Sequence, residues 1–138
     1  MTAIEADDVQ AVVLDASVLI GYLTPHDAHQ VAAQRILDAD EWVRFVLHPH
    51  TLAEVLVGPA RRNEVGPALA AFDRAGIERW NPDPDYPRRI AVLRAESGLG
   101  LADCCPLDLA QQVGAGLATF DARLAAAART RGVDTMGL

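Results

Sequence analysis

The chain contains no lysine: all twelve of its basic residues are arginine, set against nineteen acidic residues for a formal net charge of −7. Such a balance excludes a protein that grips nucleic acid through a broad basic surface, because that mode draws its affinity from many phosphate contacts. Local contact stays open, since an arginine fork suits bidentate binding of phosphate or carboxylate. Cysteine is scarce as well. The two present, Cys104 and Cys105, are adjacent, which suits neither a disulfide staple nor a zinc site, so both are expected as reduced, buried small hydrophobes. No apolar run approaches the roughly 18 residues of a membrane span, and the acidic start Met1–Asp8 lacks the basic and apolar segments of a secretory signal. A soluble, cytoplasmic protein without a membrane partner is expected. There is no His-Glu-x-x-His element, no Gly-x-Ser-x-Gly elbow and no Gly-rich phosphate loop, so zinc hydrolysis, a serine triad and a phosphate-binding loop all lack their signatures. His26, His29, His48 and His50 are accordingly expected in loops and at the surface.

What is present is a chain of 138 residues, 51% hydrophobic and 22% charged, enough to bury one core as a single domain over 1–138. The organising stretch is Val12-Val13-Leu14-Asp15-Ala16-Ser17. Ala11 to Leu14 reads as a short buried strand with a carboxylate where it stops, and a helix follows over Val18–Leu23, with Ser17 as its cap and Thr24-Pro25 as its end. A helix is expected over Asp27–Asp38, with Val31, Ile36 and Leu37 near one face, then a strand over Trp42–Leu47. Thr51 to Val57 reads as helix, weakened or ended by Gly58-Pro59. Another helix starts at Asn63, takes Pro67 in or just past its first turn and stops at Gly76. Ile77–Trp80 reads as a strand, followed by a proline-rich turn and a helix over Arg88–Glu96 that ends at Gly98. A further helix runs from near Asp103 to Val113, where Pro106 is tolerable only in the first turn. Leu117–Phe120 reads as a second strand ending in a carboxylate, Ala122–Arg131 as a helix, and Val133–Met136 as a last short strand. Strands alternating with helices predict a three-layer α/β/α sandwich around a mainly parallel sheet.

Four acids stand out. Asp15 and Asp121 occupy similar contexts, Val-Val-Leu-Asp-Ala and Ala-Thr-Phe-Asp-Ala, and parallel strands would bring both to one sheet edge, where open α/β sheets bind ligands; each also suits a helix cap. Glu54 is the one polar residue between Leu52 and Val57, so the helix is expected to be largely buried and its carboxylate to be protonated, bound to an ion or paired with an arginine such as Arg61 or Arg62. Asp103 suits an N-cap, and Asp108 is turned about 140° from it around the helix. Carboxylates converging at one edge repel each other. A hard divalent cation resolves that repulsion, attracts a phosphodiester and lowers the pKa of an attacking water.

These fragments resemble the PIN-domain ribonucleases, and within them the VapC toxins of bacterial toxin–antitoxin modules. Val-Val-Leu-Asp15-Ala-Ser17 is similar to the family's opening motif, Glu54 in Thr-Leu-Ala-Glu-Val-Leu-Val to the acid on its early helix, Asp103 in Leu-Ala-Asp-Cys-Cys to its third acid, and Thr119-Phe120-Asp121-Ala-Arg-Leu to its closing motif. The resemblance spans nearly the whole chain. It implies an endoribonuclease dependent on Mg²⁺ or Mn²⁺, with Asp15, Glu54, Asp103 and Asp121 as catalytic metal ligands and Ser17 and Thr119 as polar support. It further implies a structured RNA such as tRNA or rRNA as substrate, a cognate VapB-like antitoxin, and a homodimer. Pro106 and Asp108 depart from the pattern. Arg61, Arg62 and Arg123 are candidate phosphate contacts by proximity in sequence. Two other readings compete: a metal-dependent phosphatase, which would favour an acid two residues after Asp15 where this chain has Ser17, and a non-catalytic protein-interaction module.

Overall fold

The computed structural model describes residues 10–38 and 42–138; the acidic start Met1–Asp8 lies outside them. Among the described residues five strands form one sheet: β1 (Gln10–Leu14), β2 (Val43–Leu47), β3 (Ile77–Arg79), β4 (Gly116–Ala118) and β5 (Thr135–Met136). All pair in parallel, in the order β3-β2-β1-β4-β5. The helices are α1 (Ala16–Leu23), α2 (Gln30–Leu37), α3 (Pro49–Arg61), α4 (Val65–Arg74), α5 (Tyr86–Ser97), α6 (Leu101–Val113) and α7 (Ala122–Thr130).

Alternation along the strands divides the core in two. Val13, Val46 and Leu117 point to one face, where Ile90, Leu93, Leu107 and Leu124 of α5, α6 and α7 cover them. Val12, Leu14, Phe45, Leu47 and Ala118 point to the other, beneath Val18, Ala33, Val55 and Phe72 of α1 to α4. Each side chain of this size is worth about 1.5–3 kcal/mol when fully buried, and strands covered on both faces read as the unbroken apolar runs seen here. This is the expected three-layer sandwich. The chain steps outward from β1 through β2 to β3, then crosses back under α5 and α6 to pair β4 with the free side of β1. The strand order therefore reverses between β1 and β4, the place where open α/β sheets form a ligand crevice.

Several local expectations are corrected. Ser17 is not the cap of α1: the helix starts at Ala16, with Asp15 at the N-cap position and no side-chain cap bond. The second helix starts at Gln30 rather than Asp27, and Val31 is exposed while Ala33 and Leu37 are buried. Gly58-Pro59 does not end α3, which starts at Pro49 and carries Pro59 in its last turn. Nor is α3 largely buried; Thr51, Val55 and Pro59 face inward, while Ala53, Glu54 and Val57 face solvent. Tyr86 rather than Arg88 begins α5. In α6 the N-cap is Gly100 and Asp103 is the third helical residue, which places Pro106 in the second turn, buried inside the helix, not in the first. Proline there removes the hydrogen bond to the Ala102 carbonyl. Strand β4 stops at Ala118, two residues short of the expected end. Cys104 and Cys105 are free and buried, as expected.

Candidate active site at the sheet's switch point

The stop of β4 at Ala118 decides the geometry. Leu14 pairs with Ala118 and the Asp15 N–H donates to the Ala118 carbonyl at 3.0 Å, so the residue level with Asp15 is Thr119, not Asp121. The buried Thr119 hydroxyl donates to Asp15 Oδ2 at 2.8 Å. Ser17 Oγ, at the second residue of α1, donates to the same oxygen at 2.8 Å. Each hydroxyl carries one proton, so both are committed to Asp15 while their lone pairs accept from the loop after β4: Phe120 N–H to Ser17 Oγ at 3.0 Å and Asp121 N–H to Thr119 Oγ1 at 3.0 Å. Asp15, only 5% exposed, is thereby held by two neighbouring segments, and its Oδ1 takes neither hydroxyl.

The other acids arrive from separate helices. Asp121 takes the helix-cap role considered for it: Oδ1 accepts from the N–H groups of Arg123 at 2.9 Å and Leu124 at 3.1 Å, which leaves Oδ2 outside the cap. Asp103 faces the crevice from the first turn of α6. Its carboxyl is pushed up to about 6, first by loss of hydration and then by the charges of Asp15, Asp121 and Glu54; Arg123 opposes them. Glu54 is raised as well, by loss of hydration and by Asp15, with His50 acting against both. Asp103 thus lies within the fields of Asp15, Asp121 and Glu54, and Glu54 within that of Asp15. Among the described residues, however, no three His, Cys, Asp or Glu side chains form a ready-made metal cage.

Of the three candidate arginines, only Arg123 is at the acids. Its Nη2 donates to the Gly98 carbonyl at 3.1 Å, tethering the start of α7 to the end of α5. Arg62 pairs with Glu64 at 3.1 Å, and neither it nor Arg61 partners Glu54. Asp108 points away as expected: it is buried and bound to Arg89 at 3.0 Å. His48 overturns the surface expectation. It is 1% exposed, its Nδ1 accepts from the His50 N–H at 3.0 Å to cap α3, and its ring packs against Trp80 and Tyr86. Two residues escaped the sequence reading. His50 opposes the charge at Glu54, and His29, on the loop before α2, stacks on Phe120 with ring centroids 4.5 Å apart. Only the place of Phe120 between Thr119 and Asp121 hinted at the second.

A parallel three-layer sheet with acids gathered at its switch point is the class of protein to which this chain belongs. A PIN domain model matches residues 12–130, and the chain is a member of that family. No curated protein matches it. Its fold is similar to that of Mycobacterium tuberculosis VapC20, described as a sarcin-ricin loop cleaving toxin, at 18% identity over 84% of this chain and 94% of that one, with a TM-score of 0.69. It is also similar to a chain of a Klebsiella pneumoniae toxin–antitoxin complex, at 23% identity, 83% and 90% coverage and a TM-score of 0.71. A third likeness is to Rickettsia felis VapBC2 bound to a promoter DNA fragment, at 15% identity, 92% and 98% coverage and a TM-score of 0.69. At these identities the likeness is one of fold. Among the described residues no helix is long and apolar enough to cross a membrane.

Proposed function

We propose that this chain is a divalent-metal-dependent endoribonuclease of the toxin type, cutting structured RNA such as tRNA or rRNA and silenced by a cognate VapB-like antitoxin. The observation that carries the reading is the field at Asp103, where three carboxylates from three other segments act on one acid and Arg123 is the cation against them. Like charges held together this way are costly, and a cation relieves the repulsion. The donors are all hard oxygens, which suits Mg²⁺ or Mn²⁺. Asp15, Glu54, Asp103 and Asp121 would hold one or two such ions, which when bound neutralise the crevice and supply an acidified water for attack on a phosphodiester.

The chain's own part is positioning. Ser17 and Thr119 fix the plane of the Asp15 carboxylate through Oδ2 and leave Oδ1 outside both bonds. Asp121 spends Oδ1 on the cap and keeps Oδ2 for the site. Arg123, anchored on the Gly98 carbonyl, keeps a guanidinium beside the acids with further N–H donors for a phosphate oxygen. The likeness to toxin–antitoxin complexes supports the antitoxin partner. A phosphatase is disfavoured because Ser17, where a second acid would stand, is committed to Asp15 and Phe120.

The test is incubation of purified protein with a defined pool of structured RNAs in Mg²⁺, in Mn²⁺ and in chelator, beside Asp15→Asn. Expected is metal-dependent cutting that chelator abolishes and that falls at least about 100-fold in Asp15→Asn. Cutting that survives either change, or no cutting in either metal, would reject the reading.

A further inference from the structure

We propose that the His29 ring, backed by Phe120, is a platform on which one unpaired base of the RNA stacks beside the acidic crevice; this rests on the ribonuclease reading. The two rings lie 12° from parallel with centroids 4.5 Å apart. Phe120 is half-buried and His29 is exposed, so one face of the imidazole is covered and the other is presented to solvent. The platform is wired to the acids. Phe120 directly precedes Asp121, and its N–H donates to Ser17 Oγ, which in turn donates to Asp15 Oδ2.

The loop that carries His29 is built to hold it. The His29 N–H donates to Asp27 Oδ1 at 2.8 Å, and the Gln30 N–H donates to the Asp27 carbonyl at 3.1 Å. His26 adopts a left-handed φ of 66°, and its N–H donates to Gln30 Oε1 at 3.3 Å. Gly21 of α1 allows the close approach, since a Cβ there would stand 3.3 Å from that of His29. An exposed side chain ordinarily keeps its rotamer freedom and loses it on binding; here much of that ordering is already in place.

The chemistry of the surroundings selects a base as the occupant. Asp27 beside the ring offers no contact to a phosphate, whereas a base meets a ring through its π face at little electrostatic cost. Proteins read unpaired RNA by stacking splayed bases on aromatic or histidine side chains, largely independently of sequence. A chain of net charge −7 gains from a contact that does not depend on charge.

The experiment follows cleavage of the structured-RNA pool in Mg²⁺ by wild type, His29→Leu and His29→Tyr. Leucine covers Phe120 without offering a flat ring, and tyrosine restores the ring. His29→Leu is expected to raise KM about tenfold with kcat and melting temperature nearly unchanged, and His29→Tyr to return KM to near the wild-type value. In parallel, 2-aminopurine placed in the cleaved RNA is expected to be quenched on binding Asp15→Asn and not on binding the Asp15→Asn, His29→Leu double variant. A wild type that cuts while His29→Leu shows an unchanged KM overturns the platform alone. A wild type that cuts no RNA overturns the ribonuclease reading and the platform with it.

Discussion

Asp121 caps α7 through Oδ1 alone, so the cap and the proposed role at the acids separate by substitution. Asparagine keeps a capping oxygen, so Asp121→Asn should melt close to wild type, whereas Asp121→Ala should lose about 1 kcal/mol, typical of a lost N-cap. Both should lose RNA cleavage, measured beside a denaturation curve for each. A cap-only role would leave Asp121→Asn fully active. At this scale the acids were legible in the sequence because a lone carboxylate among apolar residues stands out. Their arrangement was not. The similar settings of Asp15 and Asp121 suggested equivalent places, but β4 ends at Ala118 and the pairing puts Thr119 level with Asp15. Register is a property of two strands, and one segment's sequence does not contain it. His48 was misplaced for a related reason: what buries it is Trp80 and Tyr86, more than thirty residues away.

The elements themselves were largely visible, since period and punctuation identify helices and strands wherever the apolar face is long enough. The failures fall where local preference and packing disagree. Pro106 sits in the second turn of α6 because seven consecutive residues, Cys104 to Ala110, are buried there, and that packing outweighs one missing hydrogen bond. Asp108 belongs to the same buried stretch and is kept there by Arg89, which also reaches Asp83 at 2.8 Å, so one guanidinium pins α5 to α6 and to the proline-rich turn. Arg89→Met would strand a carboxylate that is 4% exposed, at a cost of about 2–3 kcal/mol, below the range for a fully buried pair because the arginine is partly hydrated. Arg88→Met removes only the exposed pair with Asp85 and should leave the urea midpoint unchanged. Equal midpoints for the two variants would remove the pinning role.

For the whole molecule, stability in acid depends on shifted groups that act in opposite senses. Burial, helped by the charge of His50, holds the His48 imidazole down at about 4 against an ordinary 6.5. Below its ordinary value the unfolded chain takes that proton first, so the stabilisation from neutral His48 is whole above about pH 6.5 and is lost as pH falls towards 4. Asp103 works in the opposite sense, its raised carboxyl taking a proton in the folded state first. Comparing wild type with His48→Asn in chelator cancels the acid's share, and asparagine keeps a capping oxygen for α3. The stability difference between the two should shift against wild type by up to about 3 kcal/mol between pH 7 and pH 4; parallel curves would show that His48 is not the sensor. The sheet order carries one more consequence. Because β4 fills the place beside β1 only after the chain has gone out to β3 and crossed back, the crevice brings together residues 15, 54, 103 and 121. A nascent chain growing from its amino terminus can fold α1 to α4 onto β1, β2 and β3 long before that, and it carries no complete set of acids while it does so. If the protein cuts RNA, the ribosome making it is spared at least until Asp121 has been translated.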